Sequence, residues 1–279
     1  MFQDTLTKLA DIAAAKAKAS AENPVGFFLA SALAGVYVGF GILLIFSLGS
    51  LLDPSVRPLA MGASFGLALI LVVFAGSELF TGLTMSMSVG VAERRVGLSD
   101  LGRVWLISWF GNLAGALFLA LLFITAGGGV ITTAASELIY KAAAAKMDAD
   151  AVELVARAIL CNWLVCLALW MSQRIASETA RMIAIAWCLF AFVASGYEHS
   201  VANMTVFGVA LMSEHPQGLS LAGAGWNLIW VTLGNTIGGA LMMGMIPWLA
   251  SRKSLVPTFG VNRPAAAQAT VQAAQIPGE

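Results

Sequence analysis

The sequence contains the stretch Ser195-Gly196-Tyr197-Glu198-His199-Ser200-Val201-Ala202-Asn203-Met204, which places two ionisable side chains inside an apolar run over residues 182–212. At bilayer depth such groups are costly, so they face a packed interior or a water-filled path and by default indicate a functional site. Gly196 and the polar residues after it predict that the helix stops and restarts, which lipid tolerates only where the freed backbone lines a cavity. The stretch therefore predicts a broken membrane helix with His199 at the chemical centre of a conduction path.

The composition is typical of a protein that crosses a membrane several times. Hydrophobic residues make up 59% of the chain and charged residues only 11%, with a mean hydropathy of +0.86. Several apolar runs are long enough to cross a bilayer. The 15 basic and 15 acidic residues balance, so no global field favours a nucleic acid or an acidic macromolecule as partner.

Neither a cofactor nor a cleaved leader is expected. Cys161, Cys166 and Cys188 lie in apolar segments and form no C-x-x-C pair, so they predict small buried side chains rather than disulfides or a zinc site. The polar residues before Pro24 contain no apolar core, unlike a cleavable signal peptide. We expect no metal ion and no cofactor.

Three regions follow one another along the chain. Residues 1–23 carry Leu6, Leu9 and Ile12 at helical spacing among lysines, which predicts a cytoplasmic amphipathic helix on the membrane surface. Residues 24–250 predict a transmembrane pore domain. Residues 251–279 are rich in Ala, Gln and Pro and predict a disordered cytoplasmic tail.

Six membrane spans are predicted, and the second is unusual. Its apolar run, residues 59–92, would measure about 51 Å as one straight helix, against roughly 30 Å of hydrocarbon. The segment Gly76-Ser77-Glu78-Leu79-Phe80-Thr81-Gly82 in its middle predicts an unwound loop between two half-helices. A polar loop that holds Lys146 is expected after Gly127-Gly128-Gly129. The other spans are predicted at residues 27–48, 104–126, 155–171, 182–212 and 219–250.

The spans form two similar halves. Ala75-Gly76-Ser77-Glu78 parallels Ser195-Gly196-Tyr197-Glu198, 120 positions later, and Gly111-Asn112-x-x-Gly115 parallels Gly234-Asn235-x-x-Gly238, 123 positions later. Three spans in each half make the halves inverted, a pattern that points to a substrate path at the repeat interface. Chance similarity between glycine-rich helices is the alternative. The predicted fold is all-α, with six transmembrane helices in two inverted three-helix repeats and the second and fifth helices broken.

Loop charge predicts that both termini are cytoplasmic, because positive charge concentrates on that side of a membrane protein. One side would hold only Arg57, Lys141 and Lys146, with Arg157 at a span entrance. The other side would hold 11 basic residues, namely Lys8, Lys16, Lys18, Arg94, Arg95, Arg103, Arg174, Arg181, Arg252, Lys253 and Arg263.

The residues near the breaks have more than one interpretation. The sequence leaves the charge state of His199 open, because burial favours the neutral ring and the neighbouring Glu198 favours the cation. An interior histidine with no part in transport is the alternative. Glu78 and Glu198 are expected to accept backbone N–H bonds at half-helix N-termini rather than to contact an anion. By sequence alone Lys146 is an ordinary loop lysine.

Three motifs together resemble the formate/nitrite transporter family, and within it the nitrite channels. They occur in the expected order, and the likeness weakens only in the loop after the third span and in the tail. The motifs are the segment from Gly76 to Gly82, then Cys161-Asn162-Trp163-Leu164-Val165-Cys166-Leu167-Ala168, and then Gly196-Tyr197-Glu198-His199-Ser200-Val201-Ala202-Asn203-Met204.

The resemblance implies a homopentamer of aquaporin-like protomers in the bacterial inner membrane, each with its own pore. It also implies two hydrophobic constrictions with His199 between them. By composition the constriction residues would be ordinary core. The implied constriction residues are Leu69, Leu79, Phe80 and Val165 on the cytoplasmic side and Phe65 and Phe192 on the periplasmic side; the implied path residues are His199, Thr81, Asn235, Glu198, Lys146 and Asn162.

A small monovalent weak acid is the expected substrate, nitrite first and formate as the alternative. Desolvating an anion costs several kcal/mol or more, so a pore with apolar constrictions must hydrate, pair or neutralise it. Lys146 would raise the anion concentration at the mouth. His199 would either hydrogen-bond the anion or protonate it, so that the neutral acid passes and protons take part in transport.

Two other classes of protein stay open on the residues alone. A neutral-solute channel of aquaporin type would share the inverted repeat but would need neither Lys146 nor a titratable centre. A membrane enzyme or a haem-binding anchor subunit would need paired ligands, and His215 lies in a loop beside Pro216, where it is solvated.

Overall fold

The structure is a computed structural model that describes residues 2–133, 137–216 and 218–252, and these are almost entirely helical. The predicted tail lies outside the described residues from Lys253 onward. A π-helical turn, Val72–Gly76, follows α3, a 3-10 turn, Gly129–Ile131, precedes α6, and a π-helical stretch, Gly238–Met245, joins α10 to α11. The helices are α1 Gln3–Glu22, α2 Pro24–Leu51, α3 Arg57–Leu71, α4 Phe80–Ala92, α5 Leu98–Thr125, α6 Leu138–Asp148, α7 Ala151–Ser172, α8 Glu178–Ala194, α9 Ser200–Met212, α10 Leu221–Ile237 and α11 Ile246–Ser251.

The described helices confirm an all-α membrane protein. Large apolar side chains on the outside, such as Leu29, Phe118 and Trp187, are 58%, 61% and 66% exposed. Apolar surface on this scale needs lipid or another subunit to cover it. Five helical runs in the described part are long and apolar enough to span a bilayer: Pro24–Leu51, Arg57–Gly76, Leu98–Thr125, Ala151–Ser172 and Leu221–Ser251.

Capping residues start two of the spans earlier than hydropathy predicted. Helix α2 begins at Pro24 rather than at residue 27, because Asn23 Oδ1 accepts the N–H of Gly26 at 2.8 Å and proline suits a first helical position. Helix α7 begins at Ala151 rather than at residue 155, because the Asp150 side chain caps it. A search for long apolar runs does not register capping residues.

The region after the glycine linker was predicted to be a polar loop, and this prediction is wrong. Residues 138–148 form helix α6, whose buried face carries Tyr140, Ala143 and Met147. The lysines in this segment concealed its helical spacing, because they raise the average polarity. As a result Lys146 stands on a helix with a defined direction, not in a loop.

Close backbone contacts hold the bundle together. Helix α2 crosses α5 so closely that a Cβ on Gly115 would lie 1.8 Å from Ala32 O. Helix α10 crosses α7 in the same manner, with a Cβ on Gly234 only 2.5 Å from Val155 O. Small residues permit this approach in membrane helices. These two crossings form the frame that carries the functional segments.

Helix α1 packs on the rest of the protein. Its side chains Leu6 and Ala13 are fully buried, and a Cβ on Gly90 of α4 would lie 2.4 Å from Ala13 Cβ. Lys8 Nζ donates to Gln173 O at 2.9 Å. The apolar face of the predicted amphipathic helix is therefore covered by protein.

Candidate functional site

Two apolar helical runs are interrupted by short polar segments. Helix α4 begins at Phe80 after the π-helical turn that ends at Gly76, and α9 begins at Ser200 after α8 ends at Ala194. Gly76 and Gly196 have φ angles of +81° and +70°. Residues with a Cβ rarely adopt this left-handed conformation. The two glycines therefore allow the chain to turn between the half-helices.

We expect Gly196→Ala to lower the free energy of unfolding by about 1–2 kcal/mol, because a left-handed φ strains any residue with a Cβ. A Cβ at this position meets no atom within 4 Å, so crowding adds nothing. Gly225→Ala in α10 is the matched control, since a Cβ there is equally free and the backbone is helical. Thermal unfolding of the detergent-purified protein measures both. Equal stability of the two variants would contradict the expectation.

Asn112 of α5 holds the first break. Its Oδ1 accepts the N–H of Phe80 at 2.9 Å, which satisfies a free donor at the start of α4. Its amide nitrogen donates to Ser31 O at 2.7 Å and to Glu78 O at 2.9 Å. The side chain is fully buried, so one asparagine joins α2, the break and α4.

Asn235 of α10 holds the second break with the same set of bonds. Its Oδ1 accepts the N–H of Ser200 at 2.8 Å at the start of α9. Its amide nitrogen donates to Ala158 O at 2.8 Å and to Glu198 O at 2.9 Å. This side chain is also fully buried and joins α7, the break and α9.

Each break carries a glutamate paired with a lysine. Glu78 pairs with Lys16 of α1, and Glu198 Oε1 accepts from Lys146 Nζ of α6 at 2.7 Å. The Glu198 side chain is only 4% exposed, and that of Lys146 is 20% exposed. A buried carboxylate requires such a partner because an unpaired buried charge is strongly destabilising.

The imidazole of His199 is held on both sides. Its Nδ1 accepts the N–H of Ala202 at 3.1 Å, so the ring caps α9. Its Nε2 lies 3.1 Å from Thr81 Oγ1 of α4. A nitrogen that accepts an N–H bond carries no proton, so this geometry assigns the ring proton to Nε2. The ring stacks on Phe192, with centroids 6.0 Å apart and planes at 16°.

Three cavities follow one another along the site, and neighbouring cavities share lining residues. The α6 cavity contains Lys146, Glu198 and His199, and the α1 cavity contains Lys16, Glu78 and Leu79. Between them lies a central cavity. Phe65, Phe192 and His199 line both the α6 cavity and the central cavity, and Leu79 lines both the central cavity and the α1 cavity. The central cavity is lined by Val38, Phe65, Ala68, Leu69, Leu79, Val165, Leu189, Phe192 and His199.

The family model of the formate/nitrite transporter matches residues 3–249. The chain belongs to the formate/nitrite transporter family. The nitrite transporter NirC of Salmonella typhimurium is 52% identical over 271 residues, which are 96% of this chain and 99% of that protein. A solved FNT family ion channel has a TM-score of 0.87 at 51% identity, with 90% of this chain and 100% of that chain covered. These findings confirm the resemblance inferred from the three motifs.

A solved pentameric formate channel with formate bound is a more distant relative. Its TM-score is 0.69 at 28% identity, with 81% of this chain and 96% of that chain covered. The family consists of transporters and channels. Membership of an anion-transporter family therefore replaces the haem-anchor and aquaporin alternatives.

Most of the predicted constriction residues of the transporter meet at the central cavity. Phe65 and Phe192 contact each other edge to face, with centroids 5.5 Å apart. Leu69, Leu79 and Val165 line the same cavity. Apolar side chains therefore line the central cavity together with the imidazole of His199.

Phe80 is placed differently from its predicted position. Its ring packs edge to face on Trp105, with centroids 6.3 Å apart, and it lines none of the three cavities. The preceding residue, Leu79, lines two of them. Leu79 is the extended residue before the helix and Phe80 is the first helical one, so the two side chains point in different directions and Leu79 faces the passage.

The side chain of Asn162 is buried and forms hydrogen bonds with other groups of the protein. Its amide nitrogen lies 3.1 Å from Thr81 O, 3.0 Å from Thr84 Oγ1 and 2.6 Å from Asn235 O. The side chain is fully buried and lines none of the three cavities. These bonds join α4, α7 and α10 behind the histidine.

From the sequence alone, no role in the site was predicted for Lys16 or for Asn112. The matched Gly-Asn-x-x-Gly markers were a signal for Asn112, because they pair it with Asn235, which the family resemblance places near His199. Lys16 had no such signal. Its pairing with Glu78 depends on where α1 docks, which no local pattern reveals.

The described residues offer no place for a metal ion. Within ranges 2–133, 137–216 and 218–252, no three His, Cys, Asp or Glu side chains lie close enough to hold one. His215 Nδ1 lies 3.0 Å from Pro216 O in an exposed segment.

Proposed function

We propose that this transporter conducts a small monovalent weak acid, nitrite first, across the bacterial inner membrane through a pore in each protomer. The observation that carries the proposal is the central cavity. Its walls are apolar, and His199 is the ionisable side chain that lines it. Such a cavity gives a passing ion little hydration, so a permeant must be small and must meet the imidazole.

The permeant crosses the apolar constrictions as the neutral acid. Moving a bare anion past Phe65 and Phe192 would cost several kcal/mol of desolvation or more. Lys146 concentrates the anion in the α6 cavity, where a proton from solution joins it. Weak acids such as nitrous and formic acid permit this step, whereas chloride does not.

His199 acts as a hydrogen-bond donor during passage. Its Nδ1 is engaged by Ala202 N, and a second ring proton there would break the cap of α9. The positive end of the α9 dipole also opposes an imidazolium. Of the two roles considered for His199, the geometry supports hydrogen bonding through Nε2 rather than proton donation.

Flux into liposomes tests the proposal directly. We expect nitrite uptake by the purified protein to rise as the external pH falls, because the fraction of neutral acid increases. Chloride should neither pass nor compete. Nitrite uptake equal to that of empty liposomes would contradict the proposal.

Formate is the second candidate substrate, favoured by the likeness to the formate channel with formate bound. The same scheme serves both acids. We expect formate to compete with nitrite in the liposome assay, and the ratio of the two half-saturation concentrations measures the preference.

We propose that the six spans form two inverted three-helix repeats with the second and fifth helices broken. Matched hydrogen bonds support this arrangement. Asn112 and Asn235 accept from the first N–H groups of α4 and α9, which are 120 positions apart, Phe80 and Ser200. Their amide groups donate to carbonyls 127 positions apart, Ser31 and Ala158. A chance likeness of two glycine motifs would not bring four corresponding groups together.

We propose a homopentamer with both termini in the cytoplasm. The pentameric formate channel among the relatives supports the number of subunits, and the charge asymmetry of the loops supports the orientation. The α1 cavity then opens to the cytoplasm and the α6 cavity to the periplasm. In this assignment Leu69, Leu79 and Val165 form the cytoplasmic constriction and Phe65 and Phe192 the periplasmic one.

We expect Lys146→Gln to raise the half-saturation concentration for nitrite by about tenfold, because it removes the positive charge that attracts the anion. Lys141→Gln on the same helix is the matched control, since its side chain is 75% exposed and pairs with Glu137. Uptake kinetics at low ionic strength measure both. An equal response of the two variants would contradict the role of Lys146.

A further inference from the structure

The ion pair in the α6 cavity belongs to a closed chain of hydrogen bonds. Lys146 Nζ donates to Glu198 Oε1 at 2.7 Å, and Asn203 Nδ2 donates to Glu198 Oε2 at 2.6 Å. Asn203 Nδ2 also donates to Asn227 Oδ1 at 2.8 Å, and Asn227 Nδ2 donates to the main-chain carbonyl of Lys146 at 2.9 Å. The chain begins at the lysine side chain and returns to the lysine backbone.

Both asparagines are inaccessible to solvent. Asn203 of α9 is 1% exposed and Asn227 of α10 is 0% exposed. The amide nitrogen of Asn203 uses one hydrogen on the carboxylate and the other on its neighbour. Bonds on both oxygens prevent the Glu198 carboxylate from rotating, because any rotation leaves a buried charge without a partner.

The other ion pair has no such support. The positions that correspond to Asn203 and Asn227, by the offsets of 120 and 123 residues, are Leu83 and Val104. These side chains are buried in an apolar cluster with Met87. Among the described residues, the Glu78 carboxylate has its polar contact with Lys16 alone. The two mouths of the passage therefore differ in how firmly the carboxylate is held.

We propose that Asn203 and Asn227 are positioning residues that keep the Glu198 carboxylate buried at the wall of the α6 cavity, so that the more exposed Lys146 ammonium is the member of this pair that the anion meets. The proposal rests on the proposed function, in which Lys146 attracts the anion. A carboxylate released from Asn203 swings farther into the α6 cavity, where its negative charge repels the same anion. The pair then attracts less, although both charges remain.

Asn203→Leu tests this proposal with a side chain of similar volume that the opposite half already uses. We expect the half-saturation concentration for nitrite to rise by about five- to tenfold, with a change of less than about twofold in maximal flux, because attraction is lost and the constrictions are intact. Thr205→Val is the matched control on the same helix. Thr205 is fully buried, and its hydroxyl has no hydrogen-bond partner among the described residues.

A double variant separates positioning from a purely structural role. In a Glu198→Gln background, Asn203→Leu should change the half-saturation concentration by less than about twofold, since no carboxylate charge remains to be displaced. A structural role predicts the same additional loss in both backgrounds. Full additivity, or a fall in maximal flux alone, would overturn the proposal.

Asn227→Ala tests the chain of hydrogen bonds from its other end and should raise the half-saturation concentration for nitrite as well. If this variant folds and leaves that concentration unchanged, the proposal also fails.

Failure of this proposal is distinguishable from failure of the proposed function. If the wild type carries nitrite and Lys146→Gln weakens it while Asn203→Leu and Asn227→Ala match the wild type, only the positioning role is wrong. If the wild type carries no nitrite, the proposed function itself is wrong. If Lys146→Gln has no effect, the role of Lys146 is wrong and the positioning role is wrong with it. Size-exclusion chromatography in detergent shows whether each variant keeps the wild-type assembly.

Discussion

His199→Phe is expected to reduce nitrite flux by about 100-fold, which corresponds to the loss of one pre-organised hydrogen-bond donor at a desolvated centre. The substituted ring has no Nε2 to donate to the permeant. It also has no acceptor for Ala202 N, so the start of α9 loses its cap. Nitrite uptake into liposomes from pH 5 to pH 8 measures the loss. Flux at the wild-type level with the wild-type pH profile would contradict the central role of His199.

His199→Asn is the informative companion variant. Asparagine is a strong N-cap residue and keeps both an acceptor for α9 and a donor for the permeant, but it does not titrate. We expect it to retain flux within about tenfold of the wild type and to keep the rise in flux at low pH. A flat pH profile in this variant would show that the imidazole itself supplies the proton, contrary to the hydrogen-bonding role proposed above.

Asn235→Leu is expected to lower the free energy of unfolding by about 4 kcal/mol or more, because three buried polar groups each lose a partner worth roughly 1–3 kcal/mol. The groups are Ser200 N, Ala158 O and Glu198 O. They belong to the break and to the two helices beside it. Thermal unfolding in detergent measures the loss of stability.

Two further variants serve as comparisons for Asn235→Leu. Asn112→Leu should have a similar effect, because Asn112 makes the corresponding three bonds at the first break. Thr236→Val, beside Asn235, should cost less than about 1 kcal/mol, since Thr236 Oγ1 bonds only within its own helix, to Thr232 O at 2.8 Å. If Asn235→Leu is as stable as Thr236→Val, the asparagine does not hold the break.

The family and the all-helical class were predictable because their signals are local. Long apolar runs and scarce charge indicate membrane helices in any tertiary context, and the three motifs identify the family by residue order. Helix α6 was missed because its amphipathic spacing is short and its lysines made the segment look like a loop. Helix starts were missed where polar caps such as Asp150 extend a helix beyond its apolar run.

The placement of the functional side chains was harder to predict because it depends on the direction in which each side chain points. Residues 79 and 80 are both large and apolar, yet Leu79 lines the cavities and Phe80 packs on Trp105. Asn162 was expected among the path residues, yet it lines none of the three cavities and its amide nitrogen donates to Thr81 O and Asn235 O. Both outcomes follow from helix rotation and crossing, which a motif does not specify.

Residue order alone determined the membrane class and the family, and it singled out His199 as the candidate centre of the site, since an ionisable ring in an apolar run is informative wherever the helix lies. Three-dimensional packing was needed to show that Lys16 meets Glu78 and that Asn203 and Asn227 enclose the Lys146–Glu198 pair. These partners lie between 5 and 81 positions apart in sequence. Hydrogen bonds and ion pairs act over about 3 Å of space, so only the docking of helices brings such groups within range.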